Sequence, residues 1–219
     1  MLLYMDFISL EEAKKIKLDK RYCTKYVLTR EMFWKVFNFF VDNFKIVRND
    51  KGNVLFSYHS IYFDTPDYKM NKDHVDKKLH RQKIRVREYE SGEKFLEIKD
   101  KNNHVTTKKR IPVESYEIDG NKEWVSDNLI YDTKNLSKKL DVSYYRVTLI
   151  DDKKFIRITL DFNLRFFNYM SNKSYYFGDT ILEIKRENIE NSFVDDYLES
   201  VGIHSQHFSK YNIGLDLTS

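Results

Sequence analysis

Apolar and charged residues alternate along several stretches of this chain, as they do in β-strands whose two faces have different surroundings. The tetrapeptide Leu-Glu-Ile-Lys occurs in two such stretches, at residues 96–99 and 182–185. The alternation predicts strands at residues 21–28, 59–64, 81–90, 94–99, 105–113, 143–150, 154–160 and 180–186.

A helical spacing of apolar residues and the start signals of helices mark the rest of the chain. Ser9 and Glu12 form the pattern of a capping box at the start of an N-terminal helix. Thr29 is the expected N-cap of a helix over residues 30–43. We also predict a short polar helix ending near residue 75, a less regular helical section at 122–140, and helices near 191–201 and 209–215.

These elements predict an α+β fold, an antiparallel β-barrel of about eight strands with helices packed outside it. No Pro/Gly/Ser-rich linker divides the sequence, so we expect one domain at residues 18–219, with an N-terminal helical extension at 1–17. Arg21, Cys23 and Lys25 would share one face of the first strand. A sheet with one solvated face also gives such alternation, but here the polar faces are mostly Arg and Lys.

Four cations, Arg81, Lys83, Arg85 and Arg87, follow one another at a spacing of two residues. This spacing puts all four on one side of a strand, where they repel one another. A strongly anionic ligand offsets that repulsion, and the guanidinium group binds phosphate through two parallel hydrogen bonds. The column therefore indicates a site for a polyphosphate or a nucleoside triphosphate.

Composition limits the function classes. The 38 Lys and Arg against 34 Asp and Glu give a net charge of +4, too small to signal a nucleic-acid-binding protein by itself. Cys23 is the one cysteine, which excludes an internal disulfide and fits a reducing compartment. We find neither a signal peptide nor a membrane-spanning segment, so we expect a cytoplasmic protein with no specific nucleic-acid partner.

Several common kinds of active site have no counterpart in the sequence. A Gly-x-x-x-x-Gly-Lys loop is absent, the six histidines lack zinc-ligand spacing, and no nucleophile stands out. Glu97, Asp161 and Glu183 are the carboxylates expected among the cations. Each is either paired with a neighbouring Arg or Lys or holds a divalent metal together with phosphate. We favour the metal role for Glu183 and leave both roles open for the other two.

Six short motifs, in order, resemble the VTC domain, the polyphosphate-polymerase domain of the triphosphate tunnel metalloenzymes. The motifs are Ser60-Ile-Tyr-Phe-Asp-Thr-Pro-Asp67, Lys83-Ile-Arg-Val-Arg87, Leu96-Glu-Ile-Lys99, Arg157-Ile-Thr-Leu-Asp161, Leu182-Glu-Ile-Lys185 and Ser209-Lys-Tyr211. The resemblance covers roughly residues 19–215. It implies an antiparallel tunnel in which the terminal phosphate of ATP is added to inorganic polyphosphate with the help of Mn²⁺ or Mg²⁺.

The resemblance also implies roles for individual residues. The catalytic residues that it implies, all of which would contact phosphate, are Lys25, Arg85, Arg87, Lys99, Arg146 and Arg157. Further phosphate-binding residues are Lys83, Lys108, Lys109, Lys185, Ser209 and Lys210. The implied metal ligand is Glu183, and Glu97 is the second candidate.

One departure from the superfamily bears on the reaction. Many tunnel enzymes begin with Glu-x-Glu-x-Lys, whereas this chain has Arg21-Tyr-Cys-Thr-Lys25 and so keeps only the lysine. The loss of two carboxylates favours the polymerase over a two-metal hydrolase. The alternatives are an inorganic tripolyphosphatase, an RNA 5′-triphosphatase and a non-catalytic polyphosphate-binding module. The implied partners are ATP and polyphosphate, with a separate membrane partner for export; no oligomeric state follows.

Overall fold

The structure is a computed structural model that describes residues 5–16, 22–103, 105–151, 153, 155–187 and 190–219. Its strands are β1 (Phe7–Ser9), β2 (Tyr22–Leu28), β3 (Lys45–Arg48), β4 (Phe56–Asp64), β5 (His80–Tyr89), β6 (Lys94–Asn102), β7 (Val105–Val113), β8 (Ser137–Asp151), β9 (Ile156–Asn168), β10 (Lys173–Phe177) and β11 (Thr180–Arg186). Its helices are α1 (Leu10–Lys15), α2 (Arg30–Asn43), α3 (Lys69–Val75), α4 (Lys122–Asn128), α5 (Phe193–Ser200) and α6 (Lys210–Leu217), and a 3-10 turn covers Asp119–Asn121.

Hydrogen bonds join eight strands in the order β2-β11-β9-β8-β4-β5-β6-β7. Pairing is antiparallel between β11 and both β2 and β9, between β4 and β5, and between β6 and both β5 and β7. Short β1 pairs in parallel with β3, β3 pairs with β8, and β10 pairs with β9. The predicted fold class, α+β with an antiparallel sheet of about eight strands and helices packed on it, is confirmed.

The chain forms two compact units, and β8 and β9 each contribute to both. Unit 1 comprises the described residues within Met1–Phe56, Tyr145–Asn163 and Gly178–Phe208. Unit 2 comprises those within Ser57–Tyr144, Leu164–Phe177 and Ser209–Ser219. The prediction of one domain at residues 18–219 stays a prediction.

Unit 1 has its core on the apolar side of β2, β9 and β11. Ile158 and Ile184 are fully buried there, together with Val36 of α2 and Leu198 of α5. The N-caps act as the sequence predicts: Ser9 and Glu12 form a capping box on α1, and Thr29 Oγ1 accepts from Met32 N at 3.2 Å. Burial of one strand face leaves Lys25, Arg157, Glu183 and Lys185 on the opposite face of the same strands.

Unit 2 has a separate core between β4, β5 and β6 and the helices α3 and α4. Ile84 and Leu96 are fully buried in it, with Met70 and Val125 from the two helices. The alternate side chains of β5 and β6 then point away from this core, which puts Arg85, Arg87 and Lys99 on the other face.

The buried carboxylate of Asp64 fixes two helices of unit 2. Its oxygens accept hydrogen bonds from the amide nitrogens of Met70 and Asn71 at 3.0 Å, at the start of α3. Its Oδ2 also accepts from the hydroxyl of Tyr211, in α6, at 2.7 Å. The motif of residues 60–67 therefore contains a carboxylate, that of Asp64, that holds α6 in place.

The helix prediction is wrong between Asn128 and Leu140. Helix α4 ends at Asn128, and β8 already begins at Ser137. Lys139, near the start of β8, is only 2% exposed, and its ammonium lies 4.6 Å from the centre of the Tyr68 ring. An aromatic face offsets part of the cost of burying that charge.

Other boundaries differ by smaller amounts. We did not predict β1, β3 or β10, and β9 continues eight residues beyond the predicted end at Leu160, to Asn168. The N-terminal extension contains a strand as well as a helix, and its residues 1–4 and 17 lie outside the described part of the chain. Arg21, the predicted start of the first strand, also lies outside the described residues.

Candidate functional site

Unit 2 carries a set of cations that the strand registers bring together; we call it the unit 2 cationic face. One cross-strand row contains Lys83, Lys99 and Lys108, from β5, β6 and β7. The next row contains Tyr62, Arg85, Glu97 and Arg110, and a third contains Ser60, Arg87 and Phe95. Residues directly opposite each other on antiparallel strands lie on the same face, so these cations form one surface.

Glu97 is 1% exposed and lies between two of the cations. Its Oε2 accepts from Arg85 Nε at 2.9 Å and from Arg85 Nη2 at 2.6 Å. Its Oε1 accepts from Lys108 Nζ at 2.8 Å. Both carboxylate oxygens of Glu97 are engaged by cations, so the structure favours the ion-pair role of this residue over the metal-binding role.

The charges of this face alter the acid–base properties of its other groups. Burial raises the pKa of Glu97, but the charges of Arg85, Arg87 and Lys108 outweigh it and hold that pKa well below its usual value. Burial likewise raises the pKa of the Tyr62 hydroxyl, and the same two arginines more than reverse it. Arg85 Nη1 donates to the Tyr62 hydroxyl oxygen at 3.0 Å.

Arg87 is held by a hydroxyl and two aromatic rings. Its Nε donates to Ser60 Oγ at 3.0 Å. Its guanidinium carbon lies 5.4 Å from the centre of the Tyr58 ring and 5.8 Å from that of Tyr144. These contacts leave the guanidinium few orientations, which lowers the entropy cost of binding a phosphate.

Helix α6 brings Ser209 and Lys210 to the same face. Lys83 Nζ donates to Ser209 Oγ at 2.7 Å and to Asn212 Oδ1 at 2.6 Å. Ser209 is the N-cap of α6, and the Lys210 ammonium lies 4.6 Å from the centre of the Tyr144 ring. The structure therefore brings together Lys83, Arg85, Arg87, Lys99, Lys108, Ser209 and Lys210 among the residues that the sequence analysis selected.

Lys109 does not belong to this set. It is the cross-strand partner of Ile98, and its Nζ donates to Asn128 Oδ1 of α4 at 2.8 Å. It therefore lies on the face that α4 covers. Of the two lysines that the resemblance left open, the register places only Lys108 among the other cations.

Unit 1 carries a second polar face, defined by Lys25, Arg146, Arg157, Thr159, Asp161, Glu183 and Lys185; we call it the unit 1 polar face. One cross-strand row contains Lys25, Glu183 and Thr159, from β2, β11 and β9. The neighbouring row contains Cys23, Lys185 and Arg157. Glu183 Oε2 lies 3.1 Å from Lys185 Nζ, and the Glu183 side chain is 16% exposed.

The remaining cations of this face are turned toward oxygen atoms of the chain. Arg146 Nε and Nη2 donate to the two oxygens of Asp161 at 2.6 Å and 2.8 Å. Arg157 Nη2 donates to the carbonyl oxygens of Ala13 at 2.8 Å and Ile16 at 3.0 Å, at the end of α1. Lys25 Nζ donates to Phe208 O at 2.7 Å. A phosphate that binds Arg157 in place of these carbonyl oxygens has to compete with the N-terminal segment.

The carboxylates of unit 1 limit the kind of metal site that is possible. Within the described residues, no group of three or more His, Cys, Asp or Glu side chains is arranged to hold a metal. Mg²⁺ needs only one or two protein carboxylates when phosphate oxygens and waters complete its shell, and Mn²⁺ accepts similar oxygen ligands. Glu183 therefore fits a metal that arrives with a phosphate substrate, and Asp161 is committed to Arg146.

Some residues of the two faces were not identified from the sequence. Arg110 lies opposite Glu97, with its guanidinium carbon 4.4 Å from the centre of the Phe95 ring. Ser60, Tyr62 and Tyr144 orient the arginines. The period-two spacing of Lys108 and Arg110 was a usable signal, whereas the tyrosines resemble core aromatics and give none.

None of the described helices is both long enough and apolar enough to cross a bilayer.

Comparisons with known proteins agree with this geometry. The VTC domain family model matches residues 20–218. Among curated protein sequences, none matches the chain significantly.

Three solved structures share the fold at low sequence identity. A protein from Pyrococcus horikoshii has a TM-score of 0.53 and 16% identity, over 89% of this chain and 96% of that one. A proposed adenylate cyclase from Bacillus halodurans has a TM-score of 0.55 and 15% identity, over 87% and 94%. A proposed adenylyl cyclase from Hippeastrum, with a dominant triphosphatase activity, has a TM-score of 0.54 and 10% identity, over 89% and 94%.

At these identities the solved structures establish only the fold, and the family model establishes the family. That model spans residues 20–218, a range that includes the strands that carry both sets of cations. The chain belongs to the VTC domain family.

Proposed function

We propose that this protein is an ATP-dependent polyphosphate polymerase. A terminal oxygen of inorganic polyphosphate attacks the γ-phosphorus of ATP, the bond from that phosphorus to the bridging oxygen of the β-phosphate breaks, and ADP leaves. The attacking oxygen is already ionised near neutral pH, so the reaction requires no strong protein base. This agrees with the lack of a recognisable His or Asp base in the sequence.

The unit 2 cationic face is the observation that carries the proposal. Its three lysines lie in one cross-strand row, and its arginines are held by Glu97, Tyr62, Ser60 and two aromatic rings. Donors fixed in advance stabilise the charge that develops on a transferred phosphoryl group more effectively than mobile ones. A long polyanion also gains from a row of cations, each of which meets another phosphate.

We assign a separate role in the reaction to each group of residues. Arg85 and Arg87 would bind and orient the phosphates of the donor, and Lys83, Lys99 and Lys108 would neutralise the chain. Glu183 would hold a divalent metal, which supplies charge neutralisation and alignment of the phosphate oxygens when it is bound. Tunnel-fold proteins generally use divalent metals, and we propose Mn²⁺ or Mg²⁺ here.

The proposal is tested by incubating the protein with ATP, Mn²⁺ and a short polyphosphate primer. We expect equal amounts of ADP and newly polymerised phosphate, with the polymer seen as a ladder on a gel. The Arg87→Ala variant should lose the ladder, whereas Lys72→Ala, whose side chain is 57% exposed and lies on α3, should keep it. No polymer from the unaltered chain at any primer length would contradict the proposal.

A triphosphatase is the second candidate, because the Hippeastrum neighbour with the same fold has that activity. The described part of β2, Tyr22–Leu28, contains no carboxylate, which disfavours a two-metal hydrolytic site. Release of free phosphate from tripolyphosphate or from an RNA 5′-triphosphate, without polymer, would identify a hydrolase. Tight polyphosphate binding without either product would identify a binding module.

A further inference from the structure

The side chain of Thr159 is an unexplained polar group in unit 1. Thr159 is 2% exposed, and its Oγ1 finds no hydrogen-bond partner among the described residues. A buried hydroxyl without a partner destabilises the fold, and folded proteins contain few of them. Valine has almost the same shape and lacks this unpaired hydroxyl. A ligand that contacts the hydroxyl would explain why the position holds a threonine.

The position of the hydroxyl indicates the kind of ligand. Thr159 in β9 lies directly opposite Glu183 in β11, and Lys25 lies opposite Glu183 on its other side. The Cβ atoms of directly opposed residues are about 4.5–5.5 Å apart. One ion can therefore be reached by both the hydroxyl and the carboxylate.

We propose that Thr159 Oγ1 is the second protein ligand of a divalent cation held by Glu183. The alcohol oxygen is a neutral, hard ligand, of the kind that a serine or threonine supplies to Mg²⁺ in other phosphate sites. Lys185 Nζ, 3.1 Å from Glu183 Oε2, limits how much positive charge the site accepts. A metal with phosphate oxygens in its shell therefore fits this pair of ligands better than a bare ion.

The neighbouring groups do not offer the hydroxyl an alternative role. Asp161, two residues along β9, is bound at both oxygens by Arg146. The ammonium of Lys25 donates to Phe208 O. The biological meaning of this inference rests on the metal-dependent function proposed above. The binding of the metal can be measured without turnover.

The decisive comparison is between Thr159→Val, which removes only the hydroxyl, and Thr159→Ser, which keeps it. Mn²⁺ is titrated into each protein with saturating tripolyphosphate, and the free ion is followed by electron paramagnetic resonance. We expect Thr159→Val to bind Mn²⁺ about tenfold more weakly, a loss of about 1.4 kcal/mol. Thr159→Ser should stay within about threefold of the unaltered protein.

Two further measurements separate a ligand from a structural residue. In EDTA, Thr159→Val should melt at the same temperature as the unaltered chain or higher, because it removes a hydroxyl that has no partner. The matched control is Thr180→Val: Thr180 is also buried on β11, but it lies opposite Leu28, whose side chain belongs to the unit 1 core. Thr180→Val should leave the Mn²⁺ affinity unchanged.

Three outcomes overturn the assignment, and a fourth overturns only the proposed reaction. Unchanged Mn²⁺ affinity in Thr159→Val excludes Oγ1 as a ligand. Equal weakening in both Thr159 variants, with a lower melting temperature, identifies a packing role. Weaker binding of tripolyphosphate to Thr159→Val in EDTA identifies a hydrogen bond to phosphate instead. If no polymerase activity exists but Thr159→Val still weakens Mn²⁺ binding, the metal site stands and the proposed reaction fails.

Discussion

Arg85 and Arg87 differ in what holds them, although they are neighbours on one strand face. Arg85 is bound by a carboxylate, and Arg87 by a hydroxyl and two rings. A phosphate that binds Arg85 shares it with Glu97, whereas Arg87 has no anionic partner in the described contacts. Arg87 should therefore contribute more of its charge to the substrate.

The first prediction concerns these two arginines. Arg85→Ala and Arg87→Ala should each lower kcat/KM about ten- to hundredfold, since a charge-assisted contact contributes about 1.5–3 kcal/mol. The exposed Lys72→Ala control should change the rate less than about twofold. The rates are compared at two salt concentrations. Equal losses in all three variants, removed by salt, would mean that the face acts only as a diffuse positive patch.

Glu183→Gln is the second prediction. The amide keeps the size of the side chain but removes the charge that would bind the metal, so turnover should fall at least about a hundredfold. Polyphosphate binding should change little, because the cations remain. The control is Asp42→Asn, which removes an exposed carboxylate of α2 in the same unit. Full activity of Glu183→Gln at limiting Mn²⁺ would remove Glu183 from the metal role.

His59 lies in a network whose hydrogen bonds require a particular number of protons. His59 Nε2 lies 2.7 Å from Asp141 Oδ1, and its Nδ1 lies 2.6 Å from the hydroxyl oxygen of Tyr116. That hydroxyl donates its one proton to Glu88. Both ring nitrogens can then donate only if His59 is protonated, and the hydrogen bond to Asp141 raises its pKa against the opposing effect of burial.

The third prediction follows from that raised pKa. A histidine whose pKa is higher in the folded state stabilises the fold fully below the unfolded value of about 6.5, and this contribution is lost as the pH rises through the folded value. The free energy of unfolding measured in urea should therefore fall as the pH rises above about 6.5. His59→Gln should remove that part of the pH dependence, and an unchanged slope would contradict the network.

At the scale of elements, α6 packs closely against β8 and β9. A Cβ built on Gly214 would lie 2.5 Å from Leu140 Cδ2 and 2.5 Å from Phe166 Cδ1. The helix therefore approaches β8 and β9 at a distance that only glycine permits. Its N-cap Ser209, which accepts a hydrogen bond from Lys83, and its first residue Lys210 depend on this approach for their positions.

Gly214→Ala is the fourth prediction. The added methyl group should displace α6 and cost about 1–3 kcal/mol of stability, as overpacking usually does. Because Ser209 moves with the helix, KM for polyphosphate should rise as well. The control is Gly120→Ala, where a Cβ meets nothing within 4 Å. Equal melting temperatures of the two variants would show that the helix has room to adjust.

The sequence predicted the elements whose two faces differ in polarity. It failed at elements where that difference is absent or interrupted. Strand β11 was predicted with its observed bounds, because Glu183 and Lys185 alternate with buried Leu182 and Ile184. The second half of β9 was missed: Asn163, with φ of 53°, interrupts the extended backbone in mid-strand. The start of β8 was missed because a buried lysine looks like a surface residue.

The candidate site was predictable where it depends only on the alternation of side chains between the two faces of a strand. That alternation put Arg85 and Arg87 on one face of β5, and it put Lys99 on the face of β6 opposite to Leu96 and Ile98, as the register shows. It left Lys108 and Lys109 as alternatives, which only the register separates. It did not decide between paired and metal-binding carboxylates, because that depends on which cations reach Glu97 and which reach Asp161. The contacts made by Ser209 and Lys210 depend on α6, which local patterns do not position.

At the scale of the whole molecule, each unit has its own core and its own set of charged residues. The overall charge of +4 therefore says little about the local fields, since the cations are concentrated on particular strand faces. In unit 1, the N-terminal segment adds both apolar and polar contacts. Ala13 is 4% exposed, and β1 extends the sheet through three parallel pairs with β3.

The fifth prediction concerns that segment. A chain that begins at residue 20 should unfold at a lower urea concentration, because it loses β1, the burial of Ala13 and the acceptors of Arg157. A chain that begins at residue 5 is the control, because it keeps β1, Ala13 and both acceptors of Arg157. If the two shortened chains have the same midpoint, the N-terminal contacts contribute no measurable stability.

The hydrogen bonds from Arg157 to Ala13 and Ile16 also affect how relatives of this protein should be compared. The family pattern starts at residue 20, so an alignment trimmed to it omits both carbonyl groups that direct this arginine. Two relatives with identical motifs could then differ in the orientation of that guanidinium. Differences in substrate preference between such relatives should therefore be sought upstream of the shared pattern as well as within it.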